Sequence, residues 1–129
     1  MKKPSLDKWL AEAKNDPSAG NCGSYVFHDG AVRRTPRSEV RDGAGDGREV
    51  TAMRFSYDEE AVMSAVEKAR ALPGIYYVRI WLNKGVLQVG DDIMLILIGG
   101  DIRPRALNAL DFLLNEVKGR CVSEEEIYI

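Results

Sequence analysis

The sequence predicts an α+β fold, in which a mainly antiparallel sheet carries helices packed on its surface. Segments rich in β-branched and aromatic residues are separated by short turns that contain glycine, and such turns join antiparallel neighbours. Other segments place apolar residues at helical spacing. The chain has 129 residues, and 45% of them are hydrophobic, which is enough for one core. We therefore predict a single domain that spans residues 1–129.

The first part of the chain predicts a helix, a strand and a long loop. Ser5 is a suitable N-cap, and the apolar stripe behind it predicts a helix that ends at residues 15–17. A short strand is expected at residues 24–28. Residues 34–49 contain several glycines and almost no side chain that could be buried, so we expect a flexible loop there. Such a loop often closes over a ligand or a partner.

The middle of the chain predicts a strand, a helix and a second strand. Val50–Tyr57 alternates polar and apolar residues over much of its length, as a strand does. Asp58 is a suitable N-cap for a helix whose buried side consists of alanine and valine, and residues 72–74 end that helix. Ile75–Leu82 is rich in β-branched and aromatic residues and predicts the next strand.

The last part of the chain predicts two further strands and a helix. A short strand is expected at residues 86–89, between two turns. Residues 93–98 (IMLILI) contain no polar residue, so this strand should be buried on both faces. Pro104 suits the first turn of a helix, because its missing N–H costs little there. The apolar spacing continues to Lys118, and Gly119 is predicted to end the helix.

Composition and charge exclude several classes of function. The net charge is −2 and the sequence pI is near 5.5, whereas a general nucleic-acid binder is usually basic. No apolar run approaches the ~20 residues that a membrane span needs, and no signal peptide is visible. Cys22 and Cys121 lack metal-ligand spacing, and His28 is the only histidine. We therefore expect a cytoplasmic protein with reduced cysteines, and no metal, cofactor, nucleic-acid partner or membrane association.

Several segments resemble the large, catalytic subunit of molybdopterin synthase. Residues 84–91 (KGVLQVGD) follow the family's HRxGxLxVGE motif, residues 102–107 (IRPRAL) follow HRxxAF, and residues 117–118 follow the LK that ends a helix. Residues 23–33 match GAVVTFxGxVR in length, with His28 where the family has phenylalanine. The resemblance identifies the chain as a divergent member of this family, and it implies the family's α/β hammerhead fold.

The resemblance also implies an activity and the residues that perform it. The family transfers sulfur from the thiocarboxylated C-terminal glycine of a small subunit to cyclic pyranopterin monophosphate. Lys118 then stands at the catalytic position, and Arg33 and Arg103 stand at substrate-binding positions. We expect these three side chains to converge on one pocket of a homodimer. The implied partners are the pterin phosphate and a ubiquitin-like small subunit ending in Gly-Gly, which joins the homodimer in a heterotetramer.

Each of these residues also has a purely structural interpretation. Arg33 and Arg103 could be solvated cations that contact no ligand. Lys118 lies near the end of a predicted helix, where a cation favours the macrodipole by about 0.3–1 kcal/mol without any function. A lone histidine such as His28 is more often structural than a catalytic base.

The sequence departs from the family at positions that bear on the chemistry. Leu82 and Ile102 replace two histidines, and Asn83 replaces an arginine. Glu125 takes the place of a second lysine, and we expect the acidic residues 124–126 to weaken the binding of anionic substrates. Three functions therefore stay open: a divergent sulfurtransferase, a catalytically impaired paralogue that acts as a dimeric scaffold for a ubiquitin-like small subunit, and an anion-binding domain unrelated to molybdenum.

Overall fold

The computed structural model describes residues 2–36 and 49–128. Within these ranges there are three α-helices, Leu6–Lys14 (α1), Glu59–Arg70 (α2) and Arg103–Glu116 (α3). The same ranges contain six strands, Ser24–Ala31 (β1), Val50–Tyr57 (β2), Ile75–Leu82 (β3), Gly85–Gln88 (β4), Asp92–Gly100 (β5) and Val122–Tyr128 (β6). They also contain a 3-10 helix at Pro17–Asn21 and a π-helical turn at Val117–Cys121. Most of the flexible loop predicted at residues 34–49 lies outside the described residues.

One antiparallel sheet has the strand order β1-β5-β3. In its centre, Ile98 of β5 lies opposite both Val26 of β1 and Val78 of β3. Both faces of β5 are buried, because Leu97 packs in a cluster with α1 whereas Ile96 and Ile98 belong to the main core. This confirms the prediction that an uninterrupted apolar strand is covered on both sides.

The second antiparallel sheet has the strand order β4-β2-β6. Leu87 of β4 lies opposite Met53 of β2, so β4 leaves its neighbour β3 and joins the other sheet. Strand β6 is not predicted from the sequence, because its run of glutamates is atypical of strands. Pairing with β2, in which Val122 lies opposite Tyr57, holds these residues extended.

Helix α1 begins at the predicted N-cap and covers one face of the first sheet. Ser5 Oγ accepts a hydrogen bond from the backbone N–H of Lys8 at 3.3 Å. Trp9 and Ala13 are buried against β5. The Arg79 guanidinium lies 4.7 Å from the centre of the Trp9 ring, and this cation–π contact closes the small cluster.

Helices α2 and α3 cover the main core. Asp58 caps α2 as predicted, since its Oδ1 accepts a hydrogen bond from the backbone N–H of Ala61 at 3.2 Å. Ala65 and Ala69 of α2 and Leu113 of α3 are buried in this core. Antiparallel sheets covered by three helices confirm the predicted α+β class. No helix in the described parts of the chain is long and apolar enough to cross a membrane.

The predicted end of α3 at Gly119 is wrong. The α-helix ends at Glu116, and the backbone continues through Gly119 as a π-helical turn to Cys121. Gly119 does not take the left-handed conformation of a glycine C-cap. The turn is held instead by burial of Val117 and Cys121, and the Cys121 thiol donates to the backbone carbonyl of Glu116 at 3.6 Å.

Candidate functional site

Two of the three predicted site residues line one cavity. Arg33 and Lys118 are far apart in the sequence, yet both face a cavity of about 320 Å³. The cavity is bounded by the end of β1, by β2, β5 and β6, and by the π-helical turn. We call it the Lys118 cavity, and the described residues that line it are His28, Asp29, Gly30, Ala31, Arg33, Met53, Ile93, Met94, Lys118, Glu124 and Glu126.

The π-helical turn places Lys118 at this cavity. Its neighbour Val117 is fully buried, and Cys121 is 4% exposed, so both ends of the turn are anchored in the core. Lys118 itself is exposed between these anchors. Turns of this type are rare and often occur at functional sites, because the extra residue changes the direction of a side chain.

Arg33 is placed by the loop that follows β1. Val32 is buried, its N–H donates to Asp91 O at 2.9 Å, and its carbonyl accepts from Gly90 N–H at 2.8 Å. The next residue, Arg33, is exposed, and its Nε donates to the backbone carbonyl of Thr35 at 3.0 Å. The backbone therefore fixes the base of this side chain while its terminal nitrogens stay available to a ligand.

The structure does not bring Arg103 to the cavity within one chain. Arg103 is the first residue of α3 and is exposed, whereas Lys118 follows the other end of that helix. At 1.5 Å per residue, α3 separates the two residues by roughly 20 Å. Within this chain, Arg33 and Lys118 therefore line one cavity, and Arg103 lies away from it.

His28 lies on the wall of the cavity, although a structural role was the preferred interpretation of this lone histidine over a catalytic base. Its side chain is partly buried, and burial followed by the positive charge of Lys118 lowers the pKa of the imidazole. Gly30 lies beside the ring: a Cβ atom on that glycine would be in ordinary contact with His28 Nε2 at 3.5 Å and in tight contact with Met94 Cγ at 3.3 Å.

The acidic residues of β6 divide between the two faces of the strand. Glu124 and Glu126 line the Lys118 cavity, and Tyr128 Oη donates to Glu126 Oε1 at 3.0 Å. Glu125 points to the other face, where its Oε2 lies 3.1 Å from Nη1 of Arg54. Of the three acidic residues expected to weaken anion binding, Glu125 therefore does not line this cavity, and the effect of the other two stays a prediction. Period-two alternation would have separated Glu125 from Glu124 and Glu126 had β6 been recognised.

A second charged cluster adjoins the cavity and was missed by sequence reasoning. Partial burial, and then a hydrogen bond and repulsion from Asp92, raise the pKa of Asp29 to about 6. The hydrogen bond to Asp29, and then the Lys3 ammonium, lower the pKa of Asp92, whose Oδ2 lies 2.8 Å from Lys3 Nζ. These three residues come from separate segments, so no local motif could reveal the cluster.

The described residues contain no evident metal centre. Among residues 2–36 and 49–128, no group of three or more His, Cys, Asp or Glu side chains is placed to hold a metal ion. Both cysteines are free thiols, and burial raises the pKa of each. The side chains of the cavity that can take part in chemistry are its cations, its carboxylates and its imidazole.

The chain is similar to known proteins in sequence and in fold. The family model described as "MoaE protein" matches residues 2–120. Among solved structures, the chain is similar to molybdopterin synthase from Staphylococcus aureus, with a TM-score of 0.77 and 17% identity over 100% of this chain and 88% of that chain. No curated protein sequence matches this one.

Two further structures share the fold. One is the molybdopterin biosynthesis MoaE protein from Burkholderia ambifaria MC40-6, with a TM-score of 0.73 and 19% identity over 99% of this chain and 85% of that chain. The other is a complex of subunits 1 and 2 of molybdopterin-converting factor from Helicobacter pylori 26695, with a TM-score of 0.62 and 18% identity over 96% of this chain and 84% of that chain.

Proposed function

Because the chain belongs to the MoaE protein family, we propose that it acts as a divergent large subunit of molybdopterin synthase in molybdenum cofactor biosynthesis. The proposed reaction transfers sulfur from a thiocarboxylated small subunit to cyclic pyranopterin monophosphate. The observation that supports it most directly is the placement of Arg33 and Lys118 on the wall of one cavity.

The two cations suit the two anionic groups of this reaction. Arg33 presents a planar guanidinium that can bind a phosphate through two parallel hydrogen bonds. Lys118 presents a compact amine or ammonium on an exposed turn, where an extended peptide tail could reach it. In our proposal Arg33 holds the substrate phosphate and Lys118 acts at the acyl group of the sulfur donor.

We also propose a small-subunit partner. The Helicobacter pylori structure is a complex of two subunits of molybdopterin-converting factor, and its fold is shared by this chain. By analogy, a ubiquitin-like protein ending in Gly-Gly would dock with its tail in the Lys118 cavity. Two copies of this chain and two small subunits would form a heterotetramer, which we place in the cytoplasm.

The assay that tests this function is reconstituted product formation. The protein is mixed with a thiocarboxylated small subunit and cyclic pyranopterin monophosphate, and the dithiolene product is measured. We expect Lys118→Ala to reduce the rate by about 100-fold or more, as for loss of a catalytic group. Lys84→Ala, which removes an exposed lysine outside this cavity, is the matched control and should keep the parental rate. Equal rates for both variants would contradict the role of Lys118.

One observation favours a second candidate function. Glu124 and Glu126 place negative charge on the cavity wall, and Arg103 lies far from it within the chain. Both features weaken an anion site, so the chain could act as a catalytically impaired dimeric scaffold that binds the small subunit. Tight binding of the small subunit in calorimetry, without product formation by the parent protein, would favour the scaffold over the synthase.

A further inference from the structure

The charged side chains of the Lys118 cavity nearly cancel. Among the described residues that line it, Arg33 and Lys118 are cations, Glu124 and Glu126 are carboxylates, and Asp29 is a third carboxyl group whose pKa is raised to about 6. His28 shares this wall, and it is the only histidine of the chain. Because imidazole changes its charge near neutral pH, protonation of His28 adds one positive charge to the wall that holds Arg33 and Lys118.

One other group beside His28 changes its charge in the same pH range. The neighbours of His28 on β5 and β2 are apolar: Ile96 lies opposite it, and Met94 and Met53 line the cavity. Asp29 follows His28 on β1 and also lines the cavity; its pKa is raised to about 6, and its carboxyl group is engaged with Asp92, which is paired with Lys3. The remaining charged groups that face His28 are Lys118 on the π-helical turn, Glu124 and Glu126 on β6, and Arg33 beyond the end of β1.

We propose that His28 is an anion-binding residue of the Lys118 cavity, where its protonated imidazole joins Arg33 and Lys118 in holding the phosphate group of a ligand. The proposal rests on the proposed function in one respect, since that function supplies a phosphate-bearing substrate. It goes beyond the family resemblance, because the family has phenylalanine at this position.

The geometry gives His28 the reach that this role needs. The ring lies on the wall itself, and the absence of a side chain at Gly30 leaves space beside Nε2. A protonated imidazole has two N–H donors and no acceptor, so it suits a phosphate or sulfate oxygen. Burial and Lys118 oppose protonation in the empty cavity and lower the pKa of His28. An anion between the two cations would relieve their repulsion and favour protonation.

The first test uses sulfate, which keeps both of its charges across the range in which histidine titrates. Because the chain has one histidine, its imidazole resonances are unambiguous in NMR spectra. We expect sodium sulfate to raise the pKa of His28, compared with sodium chloride at equal ionic strength. The matched control is Arg120→Gln, which removes an exposed cation that lies in the same turn but does not line the cavity. An identical titration of His28 in both salts would overturn the proposal.

The second test measures sulfate affinity from amide shifts of Gly30 and Lys118. In the parent protein we expect affinity to be about fivefold higher at pH 5.5 than at pH 8, the size of one exposed ion pair. His28→Phe and His28→Gln should both lose this difference. The glutamine variant controls for a packing defect that phenylalanine could cause at this position. The parent and both His28 variants are measured again with Asp29→Asn added, because Asp29 lines the cavity and its pKa is also near 6; the difference that depends on His28 should remain in this background. In the Asp29→Asn background, a pH dependence that persists without His28 would overturn the proposal, and so would the absence of sulfate binding at both pH values.

These measurements are independent of sulfur transfer. If sulfate binds through His28 but no dithiolene product forms, the proposed synthase function fails and the assignment of His28 stands. If product forms at the same rate and with the same pH profile in His28→Phe, and sulfate does not affect the His28 titration, the assignment of His28 fails and the synthase function stands.

Discussion

At the scale of single residues, the three glutamates of β6 show how strand alternation gives identical side chains different roles. Glu124 and Glu126 face the Lys118 cavity, whereas Glu125 faces Arg54 on the other side of the sheet. The sequence indicated that this acidic run bears on the site. It could not say which carboxylates do so, because the strand and its pairing depend on contacts with β2, far away in the chain.

Removing a carboxylate that faces the cavity should therefore strengthen anion binding, whereas removing the carboxylate of Glu125 should not. We expect Glu124→Gln to raise the affinity for the phosphate-bearing substrate about fivefold, because one like charge is lost from a partly solvated wall. Glu125→Gln is the matched control and should leave that affinity unchanged. Substrate KM, or sulfate affinity at constant ionic strength, gives the comparison. A gain in Glu125→Gln and none in Glu124→Gln would contradict the side-chain directions described above.

Glu125→Gln also tests how much the ion pair between Arg54 and Glu125 stabilises the protein. The Arg54–Glu125 pair has side-chain exposures of 59% and 66%, so solvent screens it strongly. We expect Glu125→Gln to change the free energy of unfolding by less than about 1 kcal/mol, measured by urea denaturation. A larger loss would mean that this pair, rather than backbone pairing with β2, holds β6 in place.

Asp29 should make stability depend on pH in an unusual direction for a carboxyl group. Its pKa of about 6 exceeds its ordinary value of 3.8, so the folded protein binds this proton more tightly than the unfolded chain. The resulting stabilisation is complete below about pH 4 and is lost as the pH rises through about 6. The pKa of Asp92 is lowered, so its contribution to stability is not lost as the pH rises through this range.

Asp29→Asn tests this linkage because asparagine resembles the protonated acid. We expect the melting temperatures of variant and parent to be similar at pH 4.5, and the variant to melt higher at pH 7.5. Thermal unfolding followed by circular dichroism at both pH values gives the answer. If the variant melted higher than the parent by the same amount at both pH values, ionisation of Asp29 beside Asp92 would not be the reason for its higher melting temperature.

At the scale of secondary-structure elements, the sequence located most strands and helices but not how they end or pair. Val50–Tyr57 and Ile75–Leu82 have the predicted bounds, because their own composition favours strands. Two features depend on tertiary packing: the pairing of β4 with β2 in the second sheet, and the π-helical turn at Val117–Cys121. Gly119 looked like a helix stop, yet burial on both sides of it overrides that local signal.

Helix α3 is held in place by the packing of its buried face, so substitutions on that face should reduce the stability of the protein most. Leu113 has 0% exposure, and we expect Leu113→Ala to reduce the free energy of unfolding by about 2–5 kcal/mol. Leu107, on the same helix, is 49% exposed, and Leu107→Ala should change it by less than about 1 kcal/mol. Urea denaturation of both variants measures the difference. Similar losses would mean that the exposed face of α3 is covered by another molecule in solution.

At the scale of the whole molecule, one chain does not bring the three predicted site residues together. Arg33 and Lys118 line one cavity, but Arg103 lies at the opposite end of α3. The family resemblance implies one pocket of a homodimer for all three, and we predict that a second copy supplies Arg103. Local spacing alone gives no information about which residues a neighbouring copy contributes.

Mixing two inactive variants tests whether sites are shared. Lys118→Ala and Arg103→Ala each remove one contributor, and a mixed dimer would contain one site with both defects and one intact site. Random exchange of equal amounts should then restore about a quarter of the parental sulfur-transfer rate. The control is Arg105→Ala, which removes another cation of α3, one that is paired with Asp101 just before the helix. This variant should keep the parental rate without being mixed. If the mixture stays as inactive as its components, the site is not shared between copies.

The strand pairings that build both sheets also constrain how the chain can fold. Ser24 lies opposite Gly100, and Val50 lies opposite Tyr128, so each sheet acquires an outer strand only by closing a long loop. On the ribosome, β1 must remain unpaired until its partner β5, Asp92–Gly100, has emerged. We predict that the segment from β3 through β5, whose contacts are closer in sequence, forms the nucleus. Refolding should therefore take on the order of milliseconds to seconds, with β1 and β6 joining last, and the strand edges that wait for them are the parts most exposed to aggregation meanwhile.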